Sequence, residues 1–176
     1  MRYADLPRAG PIFLLALLLA ACGPALDWRE MQPPGAHLRL AMPCRPASHQ
    51  REVPLAGVTV AMTLFACQVE GGTYALSHAD LGDPGRVGPA LEALLAAAER
   101  NVQGHDRELE PAVVPGMTPQ ALARRWRLAG RLPDGRTVMS QGVVFAHGTR
   151  VYQATIVGER IEAEAARHFF EALAIR

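Results

Sequence analysis

With 176 residues, 18 basic and 17 acidic side chains, the chain has room for one domain with a real core and carries almost no net charge. That balance gives no electrostatic ground for nucleic acid, or for an acidic membrane surface, as a partner. Every basic residue is arginine, which together with the abundant alanine reads as GC-rich coding and not as a functional signal.

The chain opens with Arg2, Asp5 and Arg8, followed by the apolar run Ile12 to Cys22, IFLLALLLAAC. A basic start, an apolar stretch and small residues before a cut are the features of a secretory signal. The run is about ten residues, roughly 15 Å as a helix, whereas a bilayer core takes about 20 residues. A removable signal is therefore expected, not a permanent span. Its ending, Leu19-Ala20-Ala21-Cys22, resembles the lipobox of bacterial lipoproteins. The resemblance implies cleavage before Cys22, which then carries palmitate-type chains. Because Gly23 follows Cys22, and not aspartate, it also implies the outer membrane with the domain facing the periplasm; the inner membrane is the alternative. Several acyl chains, at about 0.8 kcal/mol per buried methylene, would make the anchoring effectively permanent. A plain cleavable signal with an incidental Cys22 is the competing reading. The division expected is signal 1–21, tether 22–36, from which Trp28 could dock onto the domain, and a single domain 37–176. Loss of Arg2, Arg8 and Asp5 leaves 16 residues of each sign.

Cys44 and Cys67 remain once Cys22 is assigned to lipid. An even remainder in an exported chain favours a disulfide, and closing a loop of about 24 residues contributes about 3 kcal/mol. Two separate buried thiols are the alternative. Zinc held by Cys44, His49 and Cys67 with His37 or His78 fits no metal signature, so neither metal nor cofactor is expected.

Past the Pro33-Pro34-Gly35 stop, His37 to Met42 alternates as a half-buried strand. A short strand over Arg51–Leu55 turns at Ala56-Gly57. Val58 to Val69 has the strongest strand pattern, with Val58, Val60, Met62, Leu64 and Ala66 on one face and Thr59, Ala61, Thr63, Phe65 and Cys67 on the other. Thr73 to Leu81 returns with Tyr74, Leu76 and His78 in register. As a meander of neighbouring strands, this order permits a Cys44–Cys67 bridge only if the strand between is short or displaced. Asp83-Pro84 suits a helix start, and the apolar spacing predicts a helix over 87–102 with Gly104 as its stop. Glu108 to Val114 reads as an edge strand, broken by Pro111 and Pro115. The stretch 118–132 fits helix or strand; a strand over 123–132 is favoured by Pro133-Asp134-Gly135 behind it. A hairpin over 137–157, turning at His147-Gly148-Thr149, and an amphipathic helix over 159–174 close the chain.

These elements predict an α+β fold: a mostly antiparallel sheet of about six to eight strands, with two main helices packed on it in an α/β/α-sandwich-like arrangement. The hairpin of Val143-Val144-Phe145 and Val151-Tyr152-Gln153, followed by Phe169-Phe170-Glu171-Ala172-Leu173, resembles the end of PsbP/Mog1-like domains. The resemblance covers about the last 40 residues in pattern and implies a sandwich with accessory binding or assembly roles. It brings no catalytic residues.

No constellation marks a catalytic centre. His105-Asp106 lacks the further histidines of a phosphohydrolase site and reads as a solvated turn. His78 and Asp80 share a strand face, where a histidine–carboxylate pair can tune a pKa, but no nucleophile is marked beside them. Ser140 lacks the leading glycine of a nucleophile elbow, and Gly82, Gly85 and Gly88 do not form a dinucleotide fingerprint. Arg125, Arg127 and Arg131 would share one strand face opposite Trp126 and Leu128, either as a solvated face or as a binding surface for an acidic partner or a lipid headgroup. The function expected is a non-enzymatic lipoprotein, held at the membrane by its lipid, that binds or helps assemble an envelope partner. The rival is a periplasmic small-ligand binder or hydrolase using His78 and Asp80.

Overall fold

The computed structural model describes residues 26–69 and 71–176. The expected signal, the lipobox and the lipidation site Cys22 lie outside the described residues. The elements are β1 (Arg29–Met31), β2 (Leu38–Met42), β3 (Ala47–Leu55), β4 (Val58–Val69), β5 (Gly72–Asp80), α1 (Val87–Asn101), β6 (His105–Pro111), β7 (Arg124–Arg131), β8 (Thr137–His147), β9 (Arg150–Gly158), α2 (Ala163–Glu171) and β10 (Ala174–Ile175).

The α+β class is as expected, and the ambiguous stretch contains a strand, β7. Seven strands form one antiparallel sheet in the order β3-β4-β5-β9-β8-β7-β6, and a second sheet has the order β1-β2-β10. β6, which ends in Pro111, lies at an edge where its unpaired side needs no partner. Ala56 and Gly57 both take positive φ (50° and 78°), the turn whose twist matches the flanking strands.

Three expectations shift. The strand before Cys44 does not continue the meander: β2 leaves the main sheet for the three-stranded one. Cys44 therefore meets Cys67 between layers, with the two Cα atoms 6.0 Å apart in a disulfide. The intervening strand is displaced to the edge of the main sheet and is longer than expected, beginning at Ala47. The ordered domain also begins before residue 37. β1 pairs with β2, and the Trp28 ring stands 4.3 Å from that of His168 and 6.3 Å from that of Tyr74. Finally, α2 is shorter than the periodicity suggests. Glu162 is extended (φ −69°, ψ 126°), so the helix starts only after it, and Ala174–Ile175 pair with Leu38 and Arg39 as β10.

One face of the main sheet carries Cys67, Tyr74, Leu76, Tyr152, Ile156 and Phe145, buried beneath α2 and the small sheet. Phe169 meets Tyr74 edge-on at 5.3 Å, and the Tyr152 hydroxyl donates to the Ala36 carbonyl at 2.7 Å. The fully buried Phe169, Leu38, Leu40 and Leu173 fill this layer, each worth about 1.5–3 kcal/mol in burial. On the opposite face α1 is the one helix among the described residues. Asp83 accepts a hydrogen bond from the Gly85 amide at 2.8 Å and starts the 3-10 turn Pro84–Arg86 that leads into α1. The Gly104 amide closes the last turn onto the Glu99 carbonyl at 2.8 Å.

The connection from β5 to β6 fixes where α1 can lie. β6 is four places from β5 in the sheet, about 19 Å at strand spacing. A 15-residue helix of about 22 Å makes that crossing over β9, β8 and β7, and it packs on those strands. Among the described residues it leaves the same face of β3, β4 and β5 without a helix over it.

Candidate functional site

That uncovered half-face is the floor of a groove of about 650 Å³. Register puts Val53, Leu55, Met62, Leu64, Ala75 and Ser77 on this side of the sheet, and α1 forms the other wall with Ala93, Leu94, Ala97 and Ala98. Met62, Ala75, Ala93 and Ala97 are only half-buried, and Leu64 is 37% exposed. Small side chains on the helix hold the wall back from the sheet; larger ones would fill the gap. Ser140 lies in the lining, its Oγ accepting from Trp126 Nε1 at 3.2 Å. The lining also includes His49, Arg51, Arg100 and Asn101, all exposed, and among the described residues no carboxylate lines the groove.

Sequence reasoning missed this groove because it paired each apolar face with a covering helix. One signal was present. β4 has apolar residues on both faces, Met62 and Leu64 against Phe65 and Cys67, more apolar surface than a single helix crossing elsewhere can shield.

The second concavity, about 490 Å³, lies on the other side of the sheet and is lined by Pro34, Gly35, Phe65, His78, Asp80 and Arg150. It brings together His78 and Asp80, with the Asp80 carboxylate hydrogen-bonded to other groups. Asp80 Oδ1 accepts from the Thr149 hydroxyl at 2.6 Å and the Gly82 amide at 3.1 Å, and Oδ2 accepts from Arg150 at 2.9 Å. Those hydrogen bonds, the Thr149 one foremost, hold the Asp80 carboxyl below its usual range. The carboxylate therefore ties β5 to the β8–β9 turn. His78 is 8% exposed, lies parallel to the Phe65 ring at 6.2 Å, and its buried Nε2 has no hydrogen-bond partner among the described residues. Burial first, then the positive charge of Arg150 and the neighbouring His37, pushes its pKa down, so the ring is neutral near pH 7.

The arginine row is split among different partners. Arg125, Arg127 and Arg131 do alternate on one face of β7. Arg125 lies over the Phe170 ring at 5.0 Å, a cation–π contact that fixes α2. Arg127 reaches Glu108 at 3.8 Å, and Arg131 is exposed. Cys44 and Cys67 are joined to each other and so are not available as zinc ligands. Among the described residues no cluster of three or more His, Cys, Asp or Glu side chains is arranged for a metal ion, and no helix is long and apolar enough to cross a membrane. Compared with known proteins, the chain matches no family model and no curated sequence.

Proposed function

We propose that this chain is a lipoprotein anchored through Cys22 in the outer membrane. Its periplasmic domain would be a non-enzymatic binding or assembly module that seats its ligand in the groove beside α1. One observation carries the binding reading: an apolar groove of about 650 Å³, within the size of ordinary ligand sites, is left open by the path of α1. The anchor rests on Leu19-Ala20-Ala21-Cys22. The PsbP/Mog1-like likeness belongs to the same proposal and is supported by the β8–β9 hairpin running into α2.

The test is uptake of a neutral apolar fluorophore, N-phenyl-1-naphthylamine, by the domain secreted from a plain cleavable signal. Saturable binding that Ala97→Phe removes, by placing a ring in the half-buried wall, is the expected result. Fluorescence that is absent, or indifferent to Ala97→Phe, refutes the groove as the binding site. A second reading, a small-ligand or hydrolase site at His78 and Asp80, is favoured by the orphaned His78 Nε2. Ligand binding or turnover lost in His78→Leu while the Ala97→Phe protein keeps it would support that reading over the first.

A further inference from the structure

The two edges of the seven-stranded sheet are unlike. β6 is bulged between His105 and Glu108, has Asp106 at φ 49°, and ends in Pro111, features that turn an edge away from further pairing. β3 is nine residues long, pairs with β4 without a bulge, and exposes every side chain from Ala47 to Glu52. Its turn decides which backbone groups are free. Leu55 faces Val58 across the two-residue turn, so Leu55, Val53, Arg51, His49 and Ala47 direct their N–H and C=O groups at β4. Ser48, Gln50, Glu52 and Pro54 turn theirs outward, where among the described residues no backbone group receives them. Pro54 has no N–H to offer, and Pro46 stands just ahead of the strand. The open stretch is therefore Ser48 to Glu52, with a proline four residues to either side of Gln50. The Cys44–Cys67 bridge holds the chain ahead of it, beside the pairing of Ala47 with Ala66, so the edge is ordered before any partner arrives.

We propose that this edge pairs antiparallel with β3 of a second copy of the chain, Gln50 facing Gln50 across a two-fold axis. The contact does not use the groove and goes beyond the groove reading. In this register Ser48 faces Glu52, which makes three facing pairs and about six backbone hydrogen bonds, and Pro46 faces Pro54 outside the ladder. His49 faces Arg51 and Ala47 faces Val53, so no carboxylate opposes a carboxylate and no guanidinium a guanidinium. Neighbouring registers are worse. With the axis at Arg51, that residue opposes itself and Ser48 meets Pro54. With the axis at Glu52, the carboxylate opposes itself and Gln50 meets Pro54; with the axis at His49, Glu52 meets Pro46. Like charges directly opposite are destabilising, and proline returns no donor. Charged residues on an edge ordinarily deter pairing; here Arg51 and Glu52 select one register. A two-fold joining two edges into one continuous sheet runs perpendicular to that sheet, so the same face of each copy looks to the same side. That face carries α2 and the small sheet, in which β1, the first strand of the described chain, lies. Both chains therefore enter the paired sheet from one side, as two copies anchored in one membrane require. A contact of one strand pair is small, and confinement to a membrane raises the effective concentration that favours it.

The test uses the full mature protein in phosphatidylcholine vesicles at low surface density. Förster transfer between copies labelled at the C-terminus reads association, and cysteine cross-linking under mild oxidation, with Cys44–Cys67 intact, reads the register. Facing Cα atoms about 5.5 Å apart suit a disulfide. Gln50→Cys is expected to link to itself. Ser48→Cys and Glu52→Cys should link when mixed and neither with itself, and Gln50→Pro should weaken association about tenfold or more, because the two-fold doubles the lost donor. Transfer no higher than random mixing gives overturns the pairing. Transfer that Gln50→Pro leaves unchanged, with none of those links, moves the contact off β3 and overturns it too. Ser48→Cys linking to itself as readily as to Glu52→Cys overturns the register. Protein that does not float with the vesicles refutes the lipid anchor alone, and the same links then decide the edge pairing in solution.

Discussion

The Cys44–Cys67 bridge gives the sharpest stability prediction. It joins the loop after β2 to β4 with a sequence separation of 23. In the chain-entropy treatment that loop restricts the unfolded chain by about 3.4 kcal/mol. The bridge lies next to the start of β3, the edge strand, whose residues are mostly exposed and which is held by its pairing with β4 and by Arg86 at its turn. For a domain of this size about 2–4 °C of Tm accompanies each kcal/mol, so the loss is about 7–14 °C. The assay is thermal unfolding by circular dichroism of the wild type, the reduced wild type and Cys44→Ala/Cys67→Ala, the alanine pair avoiding a buried hydroxyl at Cys67, which is 6% exposed. Reduction cuts only the link, so the reduced protein should carry most of the shift. Hydrogen exchange should accelerate first in β3 and β4. A double variant within about 2 °C of wild type would refute the inter-layer tether as a stabilising element.

Two further predictions follow from packing and charge. A Cβ at Gly142 would overlap the outer ring of Trp126 and lie 2.7 Å from the Ala154 carbonyl, so Gly142→Ala should destabilise by about 1–3 kcal/mol. In a Trp126→Phe background that penalty should shrink, and urea melts giving additive effects within about 0.5 kcal/mol would show that the ring is not the obstacle. His78 has its pKa lowered in the fold by burial, by Arg150 and by His37, while Asp80 beside it is engaged elsewhere. The unfolded chain then binds the extra proton, and stability falls as pH drops below about 6.5, at up to about 1.4 kcal/mol per pH unit. His78→Leu should flatten that limb between about pH 6.5 and 5; superimposable acid limbs for the two proteins would remove His78 as its source.

Local signals carried most of the elements. The alternation of Val58 to Val69 gave β4 its limits, Ala56-Gly57 its turn, and the spacing of Val87, Leu91, Leu94 and Ala98 gave α1. What local signals could not carry is which layer a strand joins. Nothing in Leu38 to Met42 distinguishes a strand of the main sheet from one in a covering layer, because both bury the same alternate residues. Burial at Leu38, Leu40, Ala41 and Met42 on successive positions shows why: the strand is enclosed on both sides. The periodicity overstates α2 for a similar reason: Ile161, just before the extended Glu162, packs on the core at a helical spacing from Ala165. The candidate site was legible only in its parts. The alternation of β5 does put His78 and Asp80 on one face, yet the hydroxyl and arginine that engage Asp80 come from residues 149 and 150. The groove depends on the path of α1 across a sheet whose strand order the sequence does not state.

The measurement that bears most directly on a lipid-anchored module is the intact mass of the protein extracted from its own membrane, with and without reduction and alkylation. Cleavage before Cys22, the added mass of lipid chains on that cysteine, and one cysteine pair that alkylates only after reduction are the expected result. An unmodified Cys22, or a chain that still carries residues 1–21, would contradict it.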